Sequence, residues 1–103
     1  MRKLPPQDFA VSTDVGGSTL AFTCDMSIGP NGNVRAMLPP HVAANAGFMK
    51  RLAKAVEEAR NDRDNPARLQ IQVLRKNTYV SCTTRGPVVD VISKVVQSYA
   101  RKS

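Results

Sequence analysis

The sequence predicts one α+β domain of order β-β-β-α-β-β-α, with a mostly antiparallel five-stranded sheet and two helices on one face. Two kinds of pattern predict this class: apolar residues that alternate between turn signals, and two longer stretches with apolar residues at helical spacing. A chain of 103 residues, 42% of them apolar, is long enough for one folded core. We expect residues 1–103 to form that single domain, with residues 1–8 as a flexible tail.

The first part of the chain predicts three consecutive strands, over residues 9–15, 19–28 and 34–38. The middle strand is the clearest, because every second side chain from Leu20 to Ile28 is apolar. Gly16 and Gly17 separate the first two strands, and the Gly-Pro-Asn-Gly-Asn sequence of residues 29–33 separates the second from the third.

A helix is predicted from about Val42 to Asn61, after two prolines that end the third strand. One stripe of this helix is apolar and faces the core: Ala44, Phe48, Leu52, Ala55 and Ala59. The opposite side carries two lysines and two glutamates, which we interpret as a solvated face that neutralises its own charge.

The next segment predicts a β-hairpin between residues 68 and 85, with Lys76 and Asn77 as its two-residue turn. In that register, Val73 lies opposite Val80 on an apolar side. The other side is polar and consists of Arg68, Gln70, Gln72, Ser81, Thr83 and Arg85.

The last helix is predicted to open at Gly86 and Pro87 and to run to the end of the apolar pattern at Ala100. Its apolar residues cover about half its circumference, which is broad for a helix that packs only on its own sheet. We therefore predict a homodimer through Val89, Val96 and Tyr99. Because the stretch is rich in β-branched residues, a strand is the alternative.

Charge gives the main indication of function. Residues 68–103 contain seven basic residues and one acid, so they supply +6 of the net +7. A one-sided basic surface favours a polyanionic partner such as nucleic acid. The predicted contacts combine phosphate-neutralising cations with one polar hairpin residue: Arg68, Gln70, Arg75, Lys76, Arg85, Lys94, Arg101 and Lys102.

These residues predict a non-enzymatic accessory or regulatory protein that binds nucleic acid. DNA is favoured over RNA as the partner, because a two-stranded ribbon can enter a major groove. The alternative is an assembly subunit that forms a homodimer or a hetero-complex through its broad apolar helix and an open sheet edge. In that case the positive charge serves solubility or an acidic protein surface.

Other classes of function have little support in the sequence. Cys24, Cys82 and His41 provide too few soft ligands for structural zinc, and we expect neither a metal nor a cofactor. Both cysteines fall on apolar sides of strands, which favours reduced, buried thiols and a cytoplasmic protein. The chain has no apolar run of the roughly 20 residues that a membrane-spanning helix needs.

Two short resemblances point to other functions. Residues 14–19, Asp-Val-Gly-Gly-Ser-Thr, resemble the first phosphate loop of the sugar-kinase and actin superfamily, which would imply nucleotide binding. That family closes two large lobes on the nucleotide, which this chain is too short to supply, so a plain Gly-Gly turn is preferred. The strand order also resembles the start of ribonuclease-H-like nucleases, whose metal sites need several converging acids, but no acid lies in or just after the fourth strand to accompany Asp14.

Overall fold

The computed structural model describes residues 2–12, 19–61 and 68–100. Its elements, in chain order, are β1 (Arg2–Ser12), β2 (Thr19–Ile28), β3 (Val34–Met37), α1 (Pro40–Ala43), α2 (Ala46–Arg60), β4 (Gln70–Leu74), β5 (Asn77–Cys82) and α3 (Arg85–Ala100). The Gly16–Gly17 turn and the resemblance at residues 14–19 fall almost wholly outside the described residues.

The predicted fold class is confirmed. The five strands lie in the order β1-β2-β3-β5-β4, and every neighbouring pair is antiparallel. Helix α3 packs across β1, β2, β3 and β5, while α2 packs on α3 and β4. The buried apolar side chains of the central strands lie on the side of these helices, so one face of the sheet is covered by helices and the other is not.

Strand β1 begins much earlier than predicted. Residues 2–8 are not a tail, because Arg2 pairs with Ile28 and the pairing continues along β2. The register shifts between Leu4 and Gln7, where the chain reads Pro5-Pro6. Prolines are tolerated in an edge strand at a bulge, where their missing N–H groups break no ladder. The two prolines interrupt the apolar alternation, so the sequence pattern did not predict a strand over residues 2–8.

The core contains a chain of aromatic rings that joins the sheet to both long helices. Phe9 stacks on Phe22 at a centroid distance of 5.3 Å, and Phe22 meets Phe48 of α2 edge-on at 5.8 Å. Phe48 in turn stacks on Tyr99 of α3 at 6.1 Å. The Arg51 guanidinium carbon lies 4.1 Å from the Tyr99 ring centroid, and this cation–π contact closes the outer end of the chain of rings.

The predicted helix over residues 42–61 is divided in two. A single turn, α1, follows Pro39, and α2 then starts afresh at Ala46. Asn45 caps α2, because its Oδ1 accepts a hydrogen bond of 3.0 Å from the backbone N–H of Phe48. The apolar stripe was assigned correctly within α2, since Phe48, Leu52 and Ala55 are buried and Ala59 is half-buried, but Ala44 is exposed at the end of α1.

The β4–β5 hairpin is present, but its turn lies one residue earlier than predicted. Arg75 and Lys76 form the turn, and Leu74 pairs with Asn77. Val73 therefore lies opposite Thr78 rather than Val80, a shift of two residues along the partner strand that keeps each side chain on its predicted side of the sheet.

The broad apolar side of α3 is used within the monomer. Val96 is 1% exposed in the core, and Val89 and Tyr99 are half-buried against it. The helix packs against both the sheet and α2, so it buries two faces rather than one. The apolar surface from which we predicted a homodimer is therefore largely buried within the monomer, and the dimer itself stays a prediction. The same burial explains how a run of β-branched residues forms a helix despite weak propensity.

Candidate nucleic-acid interface

The face of the sheet that the helices leave uncovered carries two rows of side chains. Strand pairing defines the first row, from β1 to β4, as Lys3, Ser27, Arg35, Ser81 and Gln70. The second row, two residues along each strand, is Asp25, Met37, Tyr79 and Gln72. Directly paired residues share a face, so the register alone places both rows together. We call this surface the open face.

Three polar atoms of open-face residues are buried and have no hydrogen-bond partner among the described residues: Arg35 Nε, Gln72 Oε1 and Ser81 Oγ. Ser81 is 0% exposed although no helix covers it. It is a short residue between longer ones, with Arg35 and Gln70 opposite it and Tyr79 two residues before it on β5. An unpaired buried polar group costs free energy, so these three atoms are candidates for contact with a ligand.

Arg35 is held toward one end of the open face by the β2–β3 turn. A Cβ atom at Gly29 would lie 3.1 Å from the Arg35 Cζ, which shows that the guanidinium packs closely against the glycine backbone. The turn is closed by hydrogen bonds from the Gly29 N–H to the Asn33 carbonyl and from the Gly32 N–H to the Gly29 carbonyl, and Gly32 has a φ of 83°. Gly29 therefore gives the guanidinium its place at this end.

A groove of about 510 Å³ lies on the open face toward β1. Met37 and Tyr79 give it an apolar wall, while Asp25 and Ser27 bring an acceptor and a hydroxyl group. Lys3 is exposed and also lines it. The other acid of this face, Asp8, is engaged elsewhere, because its Oδ1 accepts a 2.7 Å hydrogen bond from the Thr23 hydroxyl.

The hairpin tip adds two cations in an unfavourable backbone conformation. Arg75 has a φ of 50° and Lys76 a φ of 72°. Positive φ at both central residues is typical of a type I′ turn, which matches strand twist but favours Asn and Gly. The left-handed conformation costs an ordinary residue roughly 1–2 kcal/mol. Both side chains are exposed, so the tip presents two positive charges, carried by residue types that this turn disfavours.

The structure distributes the predicted contact residues over both layers. Gln70 is on the open face, Arg68 is exposed just before it, and Arg75 and Lys76 are at the tip. Arg85 starts α3 and donates a hydrogen bond to Gln7 Oε1 of β1. Lys94 lies on α3, in the other layer from the open face. Arg101 and Lys102 lie outside the described residues.

Lys94 belongs to a second basic surface, between α2 and α3. A groove of about 700 Å³ there is lined by Arg51, Lys54, Lys94 and Glu58. Arg51 is already engaged, because it lies over the Tyr99 ring and donates a hydrogen bond of 3.4 Å to Ser98 Oγ. Glu58 offsets part of the remaining charge. This groove is therefore a weaker candidate for phosphate binding than the open face.

Sequence reasoning missed Lys3, Arg35, Met37 and Tyr79 as parts of one surface. The first two lie in a stretch whose charges cancel, and Lys3 was assigned to a tail. Alternation along β3, where Val34 and Ala36 are buried, was the available signal for Arg35 and Met37.

The two cysteines are free and buried, as expected. Burial raises the pKa of the Cys24 thiol from 9.0 to about 12, and the neighbouring Asp25 carboxylate adds to this rise. Within residues 2–12, 19–61 and 68–100, no three His, Cys, Asp or Glu side chains are grouped as metal ligands would be. The helices in these ranges are also too short or too polar to span a membrane.

Comparisons of the chain with protein-family models, with curated proteins and with solved structures gave no match. The functional assignment therefore depends on the geometry and charge of the open face.

Proposed function

We propose that this protein is a non-enzymatic, nucleic-acid-binding accessory or regulatory factor that uses the open face and the hairpin tip. The observation that carries the proposal is the cluster of unpartnered polar atoms at Arg35, Gln72 and Ser81, on a surface edged by the cations Lys3, Arg75 and Lys76. A polyanion with hydrogen-bonding bases matches both the charge and the donors and acceptors of that surface.

Affinity in this proposal comes mainly from the cations. Lys3, Arg35, Arg75 and Lys76 neutralise phosphates and release condensed counterions. The polar side chains of β4 and β5 then contact sugars or base edges. The net charge of +7 adds long-range attraction and speeds association.

The geometry changes the mode of contact from the one the sequence predicts. Strand β5 is paired with β4 on one side and with β3 on the other, so the hairpin is not a free two-stranded ribbon. A major groove about 12 Å wide admits a helix or a two-stranded ribbon. Five strands at about 4.8 Å spacing form a face roughly 19 Å across, which is too wide to enter it. Within the described part of the sheet, the tip at Arg75 and Lys76 is narrow enough to do so.

A cytoplasmic location fits this proposal. Cys24 and Cys82 are both buried as free thiols, which is typical of proteins kept in a reducing compartment. DNA remains the favoured partner over RNA only through the hairpin tip, since the open face presents nothing that selects between the two sugars.

Fluorescence anisotropy with labelled duplex DNA, single-stranded DNA and RNA, at low and moderate salt, tests the proposal. We expect micromolar or tighter binding that weakens steeply with salt. Arg75→Ala with Lys76→Ala should weaken binding to all sequences and make the salt dependence shallower. The matched control is Lys50→Ala with Arg60→Ala, which removes the same charge from exposed positions of α2. Absence of binding at low salt would reject the proposal.

One observation favours the alternative of an assembly subunit. Strand β4 is an edge strand, and it leaves Val73 68% and Leu74 42% exposed. An exposed apolar edge is a template for pairing with another strand, including that of a second copy. Light scattering with Val73→Lys separates the two functions. A stable dimer that Val73→Lys dissociates, together with indifference to nucleic acid, would favour assembly.

A further inference from the structure

We infer that the open face binds single-stranded nucleic acid, with one base held in the groove against Tyr79 and Met37. The inference rests on the proposed function and names its substrate class. A surface wider than a major groove contacts a strand whose bases are unpaired more readily than it contacts a duplex, whose bases are stacked inside.

The groove has the composition that a base requires. Its volume of about 510 Å³ falls within the range of small-molecule sites, and its walls combine apolar and polar groups. Met37 and Tyr79 are directly paired across β3 and β5, so a base plane can lie over both side chains. Stacking on an aromatic ring is tolerant of sequence, because every base has a π-face.

The polar groups determine how the strand lies. Asp25 repels phosphates, so the base edge faces this carboxylate, which accepts base N–H groups. Lys3 and Arg35 lie in the adjacent row, about two residues or 7 Å along the strands, where they meet the phosphates on either side. The charged row therefore serves the backbone and the second row serves the base.

The buried cluster gives this strand a further contact. Ser81 is covered by long neighbouring side chains that change rotamer rapidly. A nucleotide that displaces them gains the Ser81 hydroxyl as a hydrogen-bond partner. Because this hydroxyl lacks a partner among the described residues, this contact breaks no hydrogen bond within them.

The test measures the affinity of labelled oligo-dT and oligo-U of about 12 nucleotides, and of a duplex of equal length, since single-strand sites of this kind span roughly 4–16 nucleotides. Tyr79→Leu, which keeps an apolar side chain but removes the ring, should weaken single-strand binding at least about five-fold. The salt slope and duplex binding should stay unchanged. Tyr99→Leu, in the helical layer, is the matched control and should bind as the wild type does. The two single strands show whether DNA or RNA is preferred.

A second variant keeps the test informative if Tyr79→Leu folds poorly. The protein has no tryptophan, so Tyr79→Trp places one reporter in the groove. It should bind oligo-dT as tightly as wild type, and its fluorescence should be quenched by the stacked base.

Four results would count against the inference, and only the last of them also rejects the proposed function. Salt-dependent binding that Tyr79→Leu leaves intact, or that poly-glutamate of equal length displaces equally well, rejects the base groove and leaves the proposed function. If the tryptophan fluorescence of Tyr79→Trp is not quenched in a saturated complex, that result likewise rejects the base groove and leaves the proposed function. Failure of the wild type to bind any nucleic acid at low salt rejects the proposed function itself.

Discussion

Arg35 of β3 and Ser81 of β5 lie directly opposite each other on the open face, and each holds a buried polar atom that has no partner within the described part of the chain. Buried donors and acceptors in proteins are nearly always paired. Two unpaired atoms on facing residues, on the face that no helix covers, are the feature that most distinguishes this sheet from a solvated surface.

Ser81→Ala should stabilise the protein. Removal of a buried hydroxyl without a partner relieves its desolvation cost, so the free energy of unfolding should rise by about 1 kcal/mol in urea denaturation. Affinity for nucleic acid should fall in the same variant. Ser98→Ala is the control, because Ser98 Oγ donates a hydrogen bond of 2.7 Å to the Val95 carbonyl and no gain is expected there. A less stable Ser81→Ala protein would mean that the hydroxyl has a partner in solution.

A variant with a more favourable hairpin turn should be more stable but bind nucleic acid more weakly. Arg75→Asn with Lys76→Gly supplies residues suited to positive φ at both positions and should raise the free energy of unfolding by about 1 kcal/mol. The same change removes two cations, so the slope of log affinity against log salt should fall by about 1.4–1.8. Thermal unfolding and salt-dependent anisotropy measure the two effects. Lower stability of this variant would contradict the assigned turn.

Val96→Ala should destabilise the monomer itself. Val96 is 1% exposed within its own core, so loss of two methyl groups should lower the free energy of unfolding by about 2 kcal/mol. The loss should be equal in urea titrations at low and high protein concentration. Val73→Ala, at a position 68% exposed, should have little effect. A loss of unfolding free energy that depends on protein concentration would instead indicate that Val96 lies in an interface between two copies of the chain.

Alkaline pH should destabilise the fold through Cys24. The pKa of this thiol is about 12 in the folded protein, against an ordinary value of 9.0. Between these values the unfolded chain releases the proton first, so it binds fewer protons and stability falls as pH rises. The free energy of unfolding should fall up to about 1.4 kcal/mol per pH unit more steeply in wild type than in Cys24→Ala. Well below pH 9 the two slopes should coincide, and parallel slopes throughout would contradict the raised pKa.

Much of the fold could be predicted because its strands are half-buried. Strand β2 has an unbroken period of two, so Thr19 to Ile28 were placed correctly. The hairpin turn was not, because Arg75 and Lys76 adopt a conformation that their residue types disfavour. Local sequence preference favoured Asn77 as a turn residue, and tertiary pairing with β3 outweighed that preference.

The candidate site was predicted only in part, because it depends on strand order. Lys3 and Gln70 are far apart in sequence, and β5 pairs with β3 rather than only with its hairpin partner. That crossover brings Arg35 next to Ser81. The distribution of charge along the sequence predicts the hairpin cations as contacts, but it does not show which face of the sheet a side chain occupies.

The location of binding is tested most directly by an amide NMR titration of the full chain with the oligo-dT strand. We predict that the largest shifts fall on Lys3, Ser27, Arg35, Tyr79 and Ser81, with smaller shifts at the hairpin tip. Shifts that cluster instead on Lys54 and Lys94, in the groove between α2 and α3, would contradict the assignment of the open face.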